Sequence, residues 1–250
     1  METVIALHCS GSSGAQWRSL VEKLGTRYRV IAPDLTSYGS LAQAAAPIRS
    51  ILGRLSAPAH LVGHSWGGGV ALHLARTRPE LLRTLTLIEP SAFHLLRGGD
   101  AIDAAALREI SEVAARTEAD LASGDLMSGF GRFVDYWSGP GSWDAMSAEK
   151  RAAFAPLLAG IALDFQALLG EPAEIEDVRG MPVPTLLVQG GGTTLPSRCV
   201  CKRLRDALPG VQFSVVRGAG HMLPVTHREA VNALIAGHLD ARRAEWPEAA

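Results

Sequence analysis

Six short runs of apolar residues, rich in Val, Ile and Leu, punctuate the chain at 3–8, 28–32, 59–64, 84–89, 183–189 and 211–216. Pro33-Asp34 closes the second, Pro90 the fourth, and Gly190-Gly191-Gly192 the fifth. Runs of this length that are near-continuously apolar, without alternation, fit strands buried on both faces. Between them the spacing turns helical, at 15–24, 41–55, 67–77, 199–208 and 228–239. Strand and helix alternating in this way predict an α/β fold built on a doubly wound, mostly parallel sheet of about six strands.

The alternation stops between Pro90 and Arg179. Alanine-rich helical stretches at 102–118, 148–159 and 161–169 lie on either side of an aromatic, glycine-rich piece at 130–143, and no convincing strand appears. A plain crossover needs far fewer residues. The block 91–179 is therefore read as a helical cap inserted into a core domain made of 1–90 and 180–250. The polar tail beyond Asp240 is expected to fray.

Composition narrows the partners. The 250 residues are 47% hydrophobic and 20% charged, and 24 basic against 25 acidic side chains leave a formal net charge of -1. A chain of this size buries roughly three quarters of its unfolded surface, so its core needs neither disulfide nor metal. The charge balance predicts no nucleic acid and no membrane as partner, and a small-molecule substrate that is neutral or weakly charged. Cys9, Cys199 and Cys201 form no disulfide framework, and the one-residue gap between the last two suits neither a zinc knuckle nor a redox pair. They read as packing residues in a reducing, cytoplasmic setting. The opening METVIALHCSGSS lacks a basic n-region and has too short an apolar run for a signal peptide. No run approaches the roughly 18 uncharged apolar residues of a membrane span. No dinucleotide fingerprint, metal motif or P-loop is present, so no cofactor and no metal are expected. The expected state is monomer or homodimer.

The chemistry-bearing motif is Gly63-His64-Ser65-Trp66-Gly67, a G-x-S-x-G pattern with an apolar strand before it and a glycine-started helix after it. A sharp strand-to-helix turn strains the central serine, and bulky residues two positions to either side would collide. Such a turn lifts the hydroxyl above the sheet edge, at a helix N-terminus whose free N–H groups suit a developing oxyanion.

Four stretches together resemble the α/β-hydrolase family from about residue 4 to 239: His8-Cys9-Ser10-Gly11-Ser12 with Trp17, Ile31-Ala32-Pro33-Asp34-Leu35 with Tyr38-Gly39, Gly63 to Gly68, and Gly218-Ala219-Gly220-His221. The resemblance implies that Ser65 is the nucleophile and that His221 is the base. An imidazole titrates near neutrality and can take the serine proton and return it to a leaving group. The family's fold usually opens with two extra strands; the first recognisable strand here starts at Thr3, so the opening hairpin is expected to be missing and the strands to lie in the order 2-1-3-4-5-6. The family also places an aspartate after the fifth strand, but no carboxylate occurs between Pro182 and Arg205. A second solution in the family puts the acid at the end of the preceding strand, where this chain has Glu89. Neighbouring strands are about 4.8 Å apart, an offset a glutamate can span, and a Glu closing an apolar strand wants a partner. Glu89 is thus the candidate acid, with a Ser-His dyad as the alternative. The resemblance assigns the oxyanion hole to the backbone N–H groups of Trp66 and Ser10. Cys9, which replaces a usual glycine, is a lesser candidate.

Asp34 reads as a turn cap that could also orient the His8 loop. His60 and His64 read as packing residues, and His227 and His238 have no motif around them. Phe133, Tyr136 and Trp137, with Phe130 and Trp143, are candidate substrate-binding residues, although aromatic side chains could equally pack the cap onto the sheet. A serine nucleophile favours acyl transfer from an ester, thioester, lactone or amide to water through an acyl-enzyme. C–C bond hydrolysis, cofactor-free perhydrolysis and a non-catalytic ligand-binding protein on the same fold are the alternatives.

Overall fold

A computed structural model describes residues 1–208 and 210–245. Its sheet has six parallel strands, β1 (Glu2–Leu7), β2 (Tyr28–Ile31), β3 (Ala59–His64), β4 (Leu82–Ile88), β5 (Thr185–Gly190) and β6 (Gln212–Val216), in spatial order β2-β1-β3-β4-β5-β6. That is the predicted order. The period of two along each strand divides the core. Ile5 and Leu7 of β1 join Leu61, Leu85 and Leu87 in one buried cluster, while Val4 and Ala6 join Val62 and Ile88 in another.

Helices cover both faces. α1 (Arg18–Leu24) and the final helix pack on the side of Val4, where Leu20, Val231, Ile235 and Leu239 are fully buried. α2 (Leu41–Leu52) and α3 (Trp66–Thr77) cover the side of Ile5 through Ile48, Val70 and Leu74. Each fully buried Leu, Ile or Val side chain contributes roughly 1.5–3 kcal/mol relative to exposure.

Between β4 and β5 the chain is helical: α4 (Ala101–Ser123), α5 (Leu126–Ser138), α6 (Ala148–Phe154) and α7 (Leu158–Gly170). Phe130, Leu158, Ile161 and Phe165 of this block belong to the same buried cluster as the sheet's Ile5 and Leu87. The aromatic piece at 130–143, given no element from sequence, is largely helix α5, and the two glycines of that helix, Gly129 and Gly131, explain the concealment. A Cβ on Gly129 would meet Leu158 at 2.6 Å, and one on Gly131 would meet Trp143 at 2.7 Å. The glycines weaken helix propensity but let two neighbours seat against the helix.

The run 148–170 is long and apolar enough by length and composition to cross a membrane, although Asp164 interrupts its uncharged stretch. A 3-10 turn at Ala155–Leu157, holding Pro156, breaks it, and Leu158, Ile161, Phe165 and Leu168 are buried in the core. α8 (Leu195–Ala207), α9 (Leu223–Thr226) and α10 (Arg228–Glu245) complete the chain. The tail expected to fray beyond Asp240 continues α10 to Glu245, and residues 246–250 lie outside the described residues.

Candidate active site

β3 ends at His64 and α3 begins at Trp66, so Ser65 alone makes the turn, at φ 54° and ψ -118°. A non-glycine residue there is strained, and four hydrogen bonds over-determine it. The Ser65 N–H donates to the Ile88 carbonyl at 3.1 Å, the Gly67 N–H to the His8 carbonyl at 3.1 Å, and the Gly69 and Ser91 N–H groups both to the Ser65 carbonyl at 3.0 Å. The flanking glycines are required by close approach. A Cβ on Gly63 would lie 2.4 Å from the Gly67 carbonyl oxygen, and one on Gly67 2.5 Å from that of Leu7.

The loop after β6 brings His221 over this turn. His221 Nε2 lies 2.9 Å from Ser65 Oγ, and His221 Nδ1 lies 2.7 Å from Glu89 Oε2. All three residues are buried, Glu89 completely. The carboxylate fixes the proton on Nδ1, which leaves the Nε2 lone pair facing the serine hydroxyl. Such a chain can draw the serine proton onto the ring as the hydroxyl attacks.

Glu89 is held from three sides. Besides His221, it accepts the Gly190 N–H on Oε1 and the Thr193 hydroxyl on Oε2, both at 2.6 Å. Its own φ is +40°, a second strained non-glycine residue one strand from Ser65. The loop 190–193, which lacks the aspartate expected from the resemblance, therefore still serves the carboxylate, through a backbone amide and a hydroxyl. Thr193 was not singled out from sequence. Nor was Ser91, whose hydroxyl lies 3.1 Å from Ser65 Oγ. When Ser91 donates there, the Ser65 proton stays directed at His221.

The N–H groups around Ser65 divide clearly. Gly67 and Cys9 are committed, the latter to Gln16 Oε1 at 3.1 Å. That removes Cys9 as a donor to an oxyanion. Among the described residues the Trp66 and Ser10 N–H groups have no recorded partner.

His64 does more than pack. Fully buried, it accepts from Gln16 Nε2 at 3.1 Å on Nδ1 and donates from Nε2 to the His221 carbonyl at 3.0 Å. Burial above all holds its pKa well below the usual value and keeps it neutral. A relay thus joins the 8–12 loop to the His221 loop through Cys9, Gln16 and His64. His8 donates from Nδ1 to the Cys9 carbonyl and accepts the Leu35 N–H on Nε2, both at 2.8 Å, and burial lowers its pKa. Asp34 accepts the Gly14 N–H at 2.7 Å, bracing the same loop. His60 bonds Thr84 Oγ1, and His227 and His238 bond residues away from Ser65.

Above Ser65 opens a largely apolar cavity of about 280 Å³, walled by Phe130, Phe133, Trp137, Met146, His221 and Val225. The Trp137 ring lies 4.1 Å from the His221 ring, centroid to centroid. Phe133 and Trp137 line the cavity as expected for substrate contacts; Tyr136 does not. One residue along the same helix, it turns away and donates its hydroxyl to Glu109 at 2.7 Å. Among the described residues, no group of three or more His, Cys, Asp or Glu side chains is placed to hold a metal ion.

A model described as the alpha/beta hydrolase family matches residues 4–234. The chain is 26% identical to 2-hydroxymuconate semialdehyde hydrolase of Pseudomonas sp. (strain CF600), with 94% of this chain and 86% of that protein aligned. It is 30% identical to pimeloyl-(acyl-carrier protein) methyl ester esterase of Aliivibrio salmonicida, over 44% of each chain. Other curated relatives match at 33–37% identity, but the chain spans only 28–31% of their length. The fold is similar to that of MenH from S. aureus, with a TM-score of 0.74 at 18% identity, over 97% of this chain and 94% of that one.

Proposed function

The chain belongs to the alpha/beta hydrolase family, and from that premise we propose that it is a serine hydrolase that cleaves a small ester, thioester, lactone or amide through an acyl-enzyme on Ser65. The carrying observation is the buried chain from Ser65 Oγ through the His221 ring to the Glu89 carboxylate, with each contact at hydrogen-bond distance. Ser65 Oγ attacks the substrate carbonyl while His221 Nε2 takes its proton. Glu89 holds Nδ1–H and stabilises the imidazolium that forms. The carbonyl oxygen, now negative, accepts from the Trp66 and Ser10 N–H groups, each such donor being worth about 3 kcal/mol in the transition state. His221 then protonates the leaving group, the carbonyl re-forms as an ester of Ser65, and water activated by the same ring releases the acid.

The residues 91–179 act as the cap, and their aromatic side chains Phe133 and Trp137 provide the binding surface for an apolar part of the substrate. Three free, buried thiols support a reducing, cytoplasmic setting. A second reading, C–C bond hydrolysis, is favoured by the near end-to-end match to 2-hydroxymuconate semialdehyde hydrolase.

A fluorophosphonate probe tests the first step. Labelling is expected on Ser65 and is expected to vanish in Ser65→Ala; intact protein that takes no adduct at Ser65 would sink the enzymatic reading. Parallel assays of p-nitrophenyl acetate and 2-hydroxymuconate semialdehyde decide between ester and C–C cleavage.

A further inference from the structure

Two spaces meet at Ser65 and differ greatly in size. The aromatic cavity has a volume of about 280 Å³, while a narrow space on the side of α7 has about 10 Å³. Ser10, Ser65, Phe133 and Trp137 border both. Among the described residues, His221 borders the aromatic cavity and not the narrow space. A volume of about 10 Å³ is close to what one water molecule needs, so the narrow space takes a group of about methyl size.

Its wall is built not to yield. Phe93, Ile161, Phe165 and Leu168 close it, and all four are buried, the last three on α7. Leu168 is seated on α3, where a Cβ on Gly69 would come within 2.7 Å of it. Phe165 meets Phe133 edge-on, with ring centroids 6.2 Å apart. Ile161 reaches the 8–12 loop, 3.6 Å from where a Cβ on Gly11 would stand. A wall packed on its far side in this way resists an added methylene. More room lies behind Ile161. This residue also borders a third space of about 200 Å³, walled by His8, Ser37 and Gly160, which among the described residues Ser65 does not border.

The proton path assigns the first two spaces. Four groups surround the substrate's carbonyl carbon once Ser65 Oγ has attacked, and Oγ is one of them. The oxyanion accepts from the Ser10 and Trp66 N–H groups. The leaving group must lie where His221 Nε2 can protonate it, which is the aromatic cavity. The acyl substituent takes the direction that is left, the narrow space. Resting on the reading of Ser65 as nucleophile, we propose that the enzyme selects acyl groups of acetyl size carried on a bulky apolar alcohol, with Ile161 and Phe165 as the residues that set the acyl limit.

A pair of isomeric esters tests the orientation. Benzyl acetate and methyl phenylacetate contain the same atoms, but the ring sits on the alcohol in the first and on the acyl group in the second. In the wild-type protein kcat/KM for benzyl acetate should exceed that for methyl phenylacetate by about tenfold or more, since a single methylene can be worth that much in a close-fitting pocket. p-Nitrophenyl acetate should likewise be preferred to p-nitrophenyl hexanoate. Ile161→Ala opens the narrow space onto the third one and should bring the hexanoate close to the acetate. If that variant fails to fold, Phe165→Leu, which enlarges the same space, should move the ratio in the same direction. Each ratio is taken within one protein, so a loss of active material cancels. An isomer ratio near one or inverted, or an acyl-length preference that neither substitution moves, would overturn the proposal even though the esters are hydrolysed. So would a protein that takes fluorophosphonate on Ser65 but leaves benzyl acetate intact. If wild type hydrolyses none of these esters and takes no fluorophosphonate on Ser65, the hydrolase reading itself fails and this inference with it.

Discussion

Replacing Glu89 with glutamine conserves the side chain's size while exchanging one carboxylate oxygen for an NH2 group. The glutamine carbonyl can keep the Gly190 N–H bond made by Oε1, and its NH2 can donate to the Thr193 hydroxyl. The third contact cannot survive unchanged. His221 Nδ1, 2.7 Å from Oε2, would then face a donor with its own proton. The ring's way out is to move the proton to Nε2, which turns N–H towards Ser65 Oγ and removes the base. In the Ser-His-Asp template the equivalent carboxylate-to-amide change lowers kcat by about 10⁴ through this wrong tautomer, or about 5.4 kcal/mol at 1.36 kcal/mol per tenfold. The same set of partners here predicts a fall of about 10³–10⁴ in kcat for Glu89→Gln. The fold should lose only about 1–2 kcal/mol, because two of three hydrogen bonds re-form and no cavity opens. Burst and steady-state release of p-nitrophenol, read beside a thermal melt, separate the two effects. A kcat within tenfold of wild type, with a normal melt, would refute Glu89 as the acid and leave a Ser-His dyad.

Gly67→Ala places a methyl 2.5 Å from the Leu7 carbonyl oxygen, a backbone atom that cannot swing aside; a loss of about 3 kcal/mol or more is expected, read as a drop in denaturation midpoint. Gln16→Ala cuts the relay from the 8–12 loop to His64 and should lower kcat about tenfold with KM nearly unchanged, and an unaltered kcat would show that the relay does not position the Ser10 N–H. Stability should fall as pH drops below about 6.5. His8, His60, His64, His94 and His238 are all held below their ordinary pKa by burial, so the unfolded chain binds protons that the folded one refuses. His94 and His238, each at about 4, would lose roughly 3 kcal/mol apiece between pH 6.5 and 4. Asp164, pushed up to about 7, has the opposite sign, since the stability it gives is full below pH 4 and lost as pH rises through 7. Asp164→Asn should therefore steepen the acid loss of melting temperature, and a profile flat from pH 7 to 5 in both proteins would contradict the assignment.

The sheet was legible because a strand buried on both faces announces itself without reference to anything distant: Val4 to Leu7 and Leu61 to Gly63 are apolar or small whichever way they point. The approach of Ser65 to His221 was legible for a related reason. Each lies at the C-terminal end of a strand, and in a parallel sheet those ends share one edge. Side chains that meet only after folding left weaker traces. Helix α5 hides because Gly129 and Gly131 read as loop residues until Leu158 and Trp143 are seen filling the space they leave. Tyr136 reads like its neighbours Phe133 and Trp137, but successive residues on a helix point about 100° apart, and its hydroxyl finds Glu109 on α4. Ser91 and Gln16 carry no pattern of their own, since a serine or glutamine in a loop is ordinary until its partner is known.

On the proposed reading of Glu89 as the acid, such a site is fixed more by place than by residue. The loop after β5 has no carboxylate, yet Thr193 Oγ1 stands 2.6 Å from the Glu89 oxygen that holds His221. A carboxyl group thus stands beside the imidazole although the loop after β5 supplies none, and that loop becomes its hydrogen-bond donor. Such an exchange has a geometric cost, visible as the positive φ at Glu89 directly after a strand. Strain of this kind costs on the order of 1–3 kcal/mol, and three hydrogen bonds to one buried carboxylate offset it. Relieving the strain alone, by a glycine at 89, would discard the charge. Shortening the side chain in Glu89→Asp keeps the charge but withdraws it by about one methylene, roughly 1.5 Å, from a ring now 2.7 Å away. Turnover in Glu89→Asp should accordingly lie between that of wild type and Glu89→Gln, because distance to Nδ1 and charge at that point are separate requirements and the glutamate at the end of β4 meets both.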